Sequence, residues 1–343
     1  MGKKNSSLNK LKKLLYSYLK KLNFRLNLLK RKLNKLRIEK MKSFGSENPQ
    51  NIYYIIHRND EHVGLFSNVS VFLEQIEYAL RKGYIPLIDM KNYLNAYLEP
   101  DQIGKINAWE YYFKQPFENL SKDEYSLESA YRSKSVIINN GEYLGSVSFF
   151  DPEFLFDAKN IKKWGDLYKK YIRLNEATNK YIDVQYSKII SDTDKVLGVF
   201  CRGTDYRKLR PYGHPIQPDV NDVVDRVKFA LVEWKCNKIF LSTEDSDIYS
   251  IFKKNFGAIL VSNEREYFSS LDEQIITQIS HERPNDKYLN GLEYITSLAI
   301  LSRCNCIISS VTSGVVGAVL MSEGFENSYF YNCGLYGISD EKK

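Results

Sequence analysis

The chain has 343 residues, of which 43% are hydrophobic and 27% charged, so it is not a disordered polymer and is long enough for two domains. Its net charge of +7 averages two unlike regions, because residues 1–42 hold 15 of the 49 Lys and Arg but one of the 42 Asp and Glu, Glu39. The remaining 34 bases and 41 acids make an acidic body, which argues against a surface built to grip nucleic acid.

In the basic region, Leu8, Leu11, Leu15, Tyr18, Leu22, Leu26, Leu29, Leu33 and Leu36 recur at steps of three or four. That is the stripe of an amphipathic helix, about 40 Å long at ~1.5 Å per residue. Three readings compete for it. Residues 8–41 can lie on an anionic membrane surface, as a basic helix with one apolar face does. The near-heptad steps also fit a coiled coil, although acids are scarce beside the stripe. A solvated helix, or one bound nonspecifically to nucleic acid, is the third, and Tyr16, Tyr18 and Phe24 are its only aromatics for base stacking. No apolar run of signal-peptide length occurs there, the longest uncharged run being residues 14–19. A linker is expected over 43–51, with Gly45 and Pro49.

The body reads as alternating strands and helices. The first half is expected over 51–185, with strands at 51–57, 85–88 and 136–138 and a helix at 65–80 that Gly83 stops. Aromatics crowd 93–117, either as core or as a platform for sugar rings. One long helical segment, 164–190, separates the halves. The second half, 190–335, offers strands at 196–201, 238–241, 258–261, 306–309 and 328–331. Helices are expected between them at 220–234, 248–256, 289–302 and from Gly314. This alternation predicts an α/β fold with parallel sheets covered on both faces. The uncharged stretch 304–322 is strand, turn and helix rather than a membrane span, because Asn305, Ser309, Ser310, Thr312 and Ser313 cluster in it.

Ligands of such sheets bind at the carboxyl ends of the strands, where three polar clusters fall. Arg202, with Gly203 to admit a close approach and Asp205 to brace it, follows the first strand and suits a diphosphate; a structural Arg–Asp pair is the competing reading. Thr243, Glu244 and Asp245 follow the second, either as acceptors for a base and ribose or as acids at a helix start. Thr312, Ser313 and Gly314 offer hydroxyls and free amides at a helix start, a ready anion site. His214 closes the loop after Arg202. Neither GxxxxGK[ST] nor GxGxxG occurs, which excludes P-loop chemistry. The five Cys form no CxxC and the four His no HExxH, so no metal site is expected and the thiols suit a reducing compartment. Abundant Lys, Asn, Ile and Tyr hint at an AT-rich bacterial genome.

Three segments carry a family resemblance: GVFCRGTDY with the later GHPIQP over 196–218, KIFLSTED over 238–245, and LAILSRCNCIISSVTSG over 298–314. They resemble the donor-binding motifs of the α1,6-fucosyltransferase superfamily, which includes the nodulation fucosyltransferases and, more distantly, the protein O-fucosyltransferases. GLFSN, with Gly64 and Asn68, resembles the N-terminal glycine turn of these enzymes. The resemblance implies a GT-B pair of Rossmann-like domains, a GDP-linked sugar in the C-terminal one, a glycan or lipid-linked acceptor in the cleft, and no metal or other cofactor. The chain departs from the pattern at Phe200, Gly203, Arg210 and Ser297, which stand where the family often has a histidine, a second arginine, a candidate acid and an aspartate.

Two function classes follow. One is an inverting, metal-independent glycosyltransferase of cell-surface polysaccharide synthesis, transferring a sugar such as fucose from GDP-fucose. In it Arg202 is catalytic and His62, Glu61 or Asp60 takes the acceptor proton. The other is a membrane-associated scaffold that binds nucleotide sugars without turnover. Either would work at the cytoplasmic face of the inner membrane or in the cytoplasm, and no nucleic-acid partner is expected.

Overall fold

The computed structural model describes residues 39–338, except for 118–123, 140, 142–143, 145–146, 148, 150, 204–208 and 270–278. The basic stripe of residues 8–36 lies outside them, so the membrane and coiled-coil readings concern residues that are not described. Among the described residues no helix is long and apolar enough to cross a membrane.

The first half carries β1 (Met41–Lys42), β2 (Tyr53–Ile56), α1 (Leu65–Arg81), β3 (Ile85–Ile88), the single turn α2 (Leu127–Ala130) and β4 (Val136–Asn139). Its sheet runs β1-β4-β2-β3, parallel except for β1 against β4. Two helices follow, α3 (Ala158–Tyr171) and α4 (Glu176–Ile189). The single long helix expected there is broken because the Asn175 side chain accepts from the Thr178 N–H and starts a new helix. The second half carries β5 (Val196–Phe200), α5 (Val220–Glu233), β6 (Lys238–Ser242), α6 (Ser246–Phe256), β7 (Leu260–Val261), α7 (Asp286–Ser302), β8 (Cys306–Ser310), α8 (Ser313–Met321) and β9 (Asn327–Tyr331). Its sheet is wholly parallel, ordered β7-β6-β5-β8-β9. Strand β7 is shorter than expected because Gly257, at φ +56°, turns the chain and a 3₁₀ turn takes Gly257–Ile259.

Strands β5 and β8 are buried at every position, as parallel strands covered on both faces must be. The crowded aromatics of the first half are largely core: Trp109, Tyr112 and Phe113 are at most 1% exposed, which disfavours a sugar platform there. One hydrophobic cluster runs through both halves, joining Tyr54, Phe66 and Phe72 to Trp164, Leu298 and Val315.

The body begins before the expected linker. Residues 41–42 form an edge strand rather than the tail of a helix, and the Glu39 carboxylate accepts from the hydroxyls of Tyr78 (2.5 Å) and Tyr84 (2.9 Å). Burial and this carboxylate together push the Tyr78 phenol up from its ordinary pKa. A chain starting at Glu39 is therefore expected to melt as the full chain does. One starting at Ser43 should lose about 1–3 kcal/mol, since hydrogen bonds to a charged group go with the strand. Thermal denaturation of the two truncations checks this.

Candidate active site

The order of the second sheet reverses between β5 and β8, since the chain runs β5, β6, β7 in one direction and then crosses to β8 and β9. Such a reversal leaves a crevice between the two strand ends, where ligands of open α/β sheets bind. Arg202 lies just beyond β5 and Thr312 just beyond β8. Both open into one cavity of about 740 Å³, within the usual range for small-molecule sites.

Arg202 is held from the neighbouring strand. Its Nε lies 3.2 Å from Oε1 of Glu244, which follows β6, and the Gly203 N–H donates to the same oxygen at 3.3 Å. The two side chains are 17% and 4% exposed, so this is a nearly dry ion pair. Gly203 is required by space, because a Cβ there would sit 2.2 Å from the Asp245 carboxylate. The close approach anticipated from this glycine is thus to a neighbouring side chain. On the far side of the crevice, the Thr312 hydroxyl caps α8 by accepting from the Val315 N–H. The amides of Ser313 and Gly314, first in the helix, have no partner within it and carry the positive end of its dipole.

The opposite wall comes from the first half: residues 61–67 around the start of α1, and Asn95 to Tyr97. Gly64 is the N-cap of α1 and has open space where a Cβ would be. His62 lines the cavity with its side chain 47% exposed and its ring Nε2 3.9 Å from Glu61 Oε1, while its backbone N–H donates to Asp60 Oδ1 at 2.9 Å. Tyr97 is fully buried; burial drives its phenol pKa up, while the Leu65 backbone and the Arg202 guanidinium pull it down. It stays protonated at neutral pH. Lys287, early in α7, ties the two walls by donating to the Leu98 carbonyl at 2.9 Å, with Glu99 at 3.5 Å.

The structure brings Arg202, Glu244, His214, Thr312, Ser313, Gly314, Gly64 and His62 to this cavity. The His214 loop is stitched to the C-terminal segment, its carbonyl accepting from the Tyr336 N–H at 2.9 Å. Asp245, Thr243 and Asn68 do not line the cavity among the described residues. Asp245 caps α6 through the N–H groups of Asp247 and Ile248, as a helix-start acid does. The Thr243 hydroxyl supports that turn by accepting from the Asp245 N–H, and Asn68 accepts from Arg58 at 3.4 Å. Asp205, expected to brace Arg202, lies outside the described residues. Among those residues no group of three or more His, Cys, Asp or Glu is placed to hold a metal ion. Sequence reasoning missed Arg265, Lys287, Asn290 and Tyr294, which reach the cavity from elements without a local motif.

His57, just after β2, lies beside this region without lining the cavity. Its ring stacks on Tyr93 with centroids 3.6 Å apart, and burial lowers its pKa to about 4 despite the nearby Asp89. It is neutral at physiological pH.

No family model and no curated protein matches the chain. Among solved structures, it is similar to the NodZ alpha-1,6-fucosyltransferase soaked with GDP-fucose, at 16% identity over 79% of this chain and 93% of that one, with a TM-score of 0.47. A structure of fucosyltransferase NodZ from Bradyrhizobium gives 15% identity over 79% and 94%, with a TM-score of 0.45. POFUT1 in complex with GDP gives 11% over 82% and 98%, with a TM-score of 0.49.

Proposed function

We propose that the chain is a glycosyltransferase that takes a nucleoside diphosphate sugar and passes the sugar to a hydroxyl of a glycan or lipid-linked glycan. The observation that carries this reading is the pairing of Arg202 with the start of α8 across the switch point of the second sheet, inside a cavity walled by both halves. The motif resemblance supports a GDP-linked donor, with fucose as the sugar, and the 15 Lys and Arg against one acid in residues 1–42 support a basic arm that would hold the protein on an anionic membrane at the cytoplasmic face. The acceptor oxygen bonds to the anomeric carbon as the bond from that carbon to the diphosphate oxygen breaks. The electron pair leaves on the diphosphate, and the acceptor proton passes to a base.

Negative charge grows on the departing diphosphate, so donors fixed beforehand beside it lower the barrier. Arg202 presents a planar fork from one strand end, and the Ser313 and Gly314 amides present a helix N-terminus from the other. Attack from the face opposite the leaving group inverts the anomeric centre. His62, exposed in the wall facing the diphosphate donors, is the base we assign, with Glu61 beside it to take up the imidazolium charge.

With guanidinium and amides bearing the leaving-group charge, turnover is expected to persist in EDTA. The assay is release of nucleoside diphosphate from GDP-fucose by the full chain, with and without EDTA and a hydroxyl acceptor. Activity that vanishes in EDTA and returns with Mn²⁺ or Mg²⁺ refutes metal independence. Binding of GDP without turnover, over a range of glycan acceptors, points instead to a non-catalytic scaffold.

A further inference from the structure

A strand at the edge of a sheet presents a row of unpaired N–H and C=O groups, which folds ordinarily shorten, cover or charge. Three of the four sheet edges here are treated in that way. Strands β1 and β7 have two residues each. Strand β3 carries Pro86, and its Ile88 is covered by side chains. The Ile88 N–H donates to Gln115 Oε1 at 2.9 Å, and its carbonyl accepts from Gln115 Nε2 (2.9 Å) and Asn107 Nδ2 (3.0 Å).

The fourth edge, β9, is left open. It is five residues long, pairs among the described residues with β8 alone, and contains neither proline nor a charged side chain. Residues 327–338 as a whole hold no Asp, Glu, Lys, Arg or His. Aromatic groups flank the strand on both faces. On one, Tyr329 is 37% exposed and meets Tyr331 edge-on at 4.9 Å. The Arg226 guanidinium of α5 lies over the rings of Tyr329 (4.3 Å) and Phe229 (5.0 Å), which holds this flank in one arrangement. Phe229 is 55% exposed, and Glu233, 4.0 Å from Arg226, offsets the charge. On the other face, Phe330 meets the exposed Phe156 edge-on at 6.2 Å.

We propose that β9 pairs with β9 of a second copy of this chain, antiparallel and about a two-fold axis through Tyr329. Such pairing sets residue 327 opposite 331, 328 opposite 330 and Tyr329 opposite itself, so the whole strand is matched. No like charges on the strands are brought together, and two five-stranded sheets become one continuous sheet. An edge matched in full by itself favours a second copy over an unrelated chain. Aromatic side chains bury about 150–250 Å² each, so the exposed parts of Phe156, Phe229 and Tyr329 with the strand backbone offer roughly 400–600 Å² per copy. A standard stable interface takes about 800 Å² per partner, so a weak dimer is expected, with a dissociation constant of about 1–100 µM. The paired strands run oppositely, so the two cavities open toward opposite ends of the dimer and neither blocks the other. The inference stands independently of the nucleotide-sugar reading.

Sedimentation equilibrium of the full chain across about 1–100 µM tests it, and the wild type should pass from monomer to dimer. Ser328→Lys and Tyr329→Lys each place a lysine on the edge and should raise the dissociation constant about tenfold or more. Ser328 points to the face opposite Tyr329 and Arg226, so Ser328→Lys covers the case in which loss of the tyrosine ring disturbs the fold. Under a mild thiol oxidant Tyr329→Cys should form a covalent dimer, because directly opposed residues stand about 4.5–5.5 Å apart, within disulfide reach. The wild type should not, since its exposed Cys333 lies beyond the strand end, away from the axis in both copies. A monomer throughout the concentration range overturns the proposal. A dimer that both lysine variants leave intact also overturns it, and locates the contact elsewhere, such as the basic arm. Cross-linking of the wild type to the same extent as Tyr329→Cys, or of neither, overturns the antiparallel pairing.

Discussion

Arg202→Ala is expected to lower kcat about 30- to 1000-fold, or ~2–4 kcal/mol, by analogy with the loss of one preorganised oxyanion donor. The effect should fall on kcat more than on donor KM. In the proposed reaction the diphosphate would gain charge as the bond to the sugar breaks, so a fork held in place by Glu244 would bind the transition state more tightly than the ground state. Arg202→Lys should recover little, since an ammonium keeps the charge but loses the planar geometry. Should Arg202 serve only to neutralise Glu244, the alanine variant would melt earlier and yet bind donor normally. Melting temperature, donor affinity and single-turnover rate on one variant separate these outcomes.

Glu244→Ala is expected to damage both stability and catalysis. Glu244 Oε1 lies 3.2 Å from the guanidinium and accepts from the Gly203 N–H, so its loss removes an opposite charge from a guanidinium with little water around it. Breaking a buried pair from one side costs about 3–5 kcal/mol. Because Arg202 keeps some contact with the cavity, about 2–4 kcal/mol is the better expectation. At ~2–4 °C per kcal/mol for a chain of this size, the melting temperature should fall by roughly 5–15 °C. Glu244→Gln retains the acceptor oxygen and should recover most of the stability, while leaving Arg202 less firmly aimed and kcat reduced. If Glu244 instead contacted the base or ribose, the alanine variant would keep its melting temperature and lose nucleotide affinity alone. Thermal unfolding with nucleotide titration distinguishes the two.

The succession of strands and helices was legible because each parallel strand is a short run buried on both faces, and each helix repeats apolar residues on one side. What escaped were features set by partners remote in sequence. Nothing in the sequence around Met41 and Lys42 signals a strand until Val136 and Ile137 are placed beside them. One helix stops at Tyr171 and Asn175 caps the start of the next, inside a segment that reads as one helix. At the site, Arg202, Thr312 and Gly314 were readable because a strand end carries their meaning locally. The brace of Arg202 was not, since Glu244 comes from the adjacent strand, 42 positions away. Arg265 and Lys287 sit in no motif and reach the cavity only through the placement of the elements that bear them.

The core common to both sheets also governs how the site exchanges its contents. Helix α8 lies against α1 so closely that a Cβ on Gly317 would stand 2.2 Å from the Phe66 ring, and that ring meets Tyr294 edge-on at 5.8 Å. Phe66, Tyr294 and the residues at the start of α8 are wall and foundation at once. Swinging one half away from the other like a jaw would shear this packed seam, and close-packed interiors resist such deformation. Small-angle scattering of the full chain with and without GDP is therefore expected to give one envelope, since a jaw-like swing would have to repack this seam.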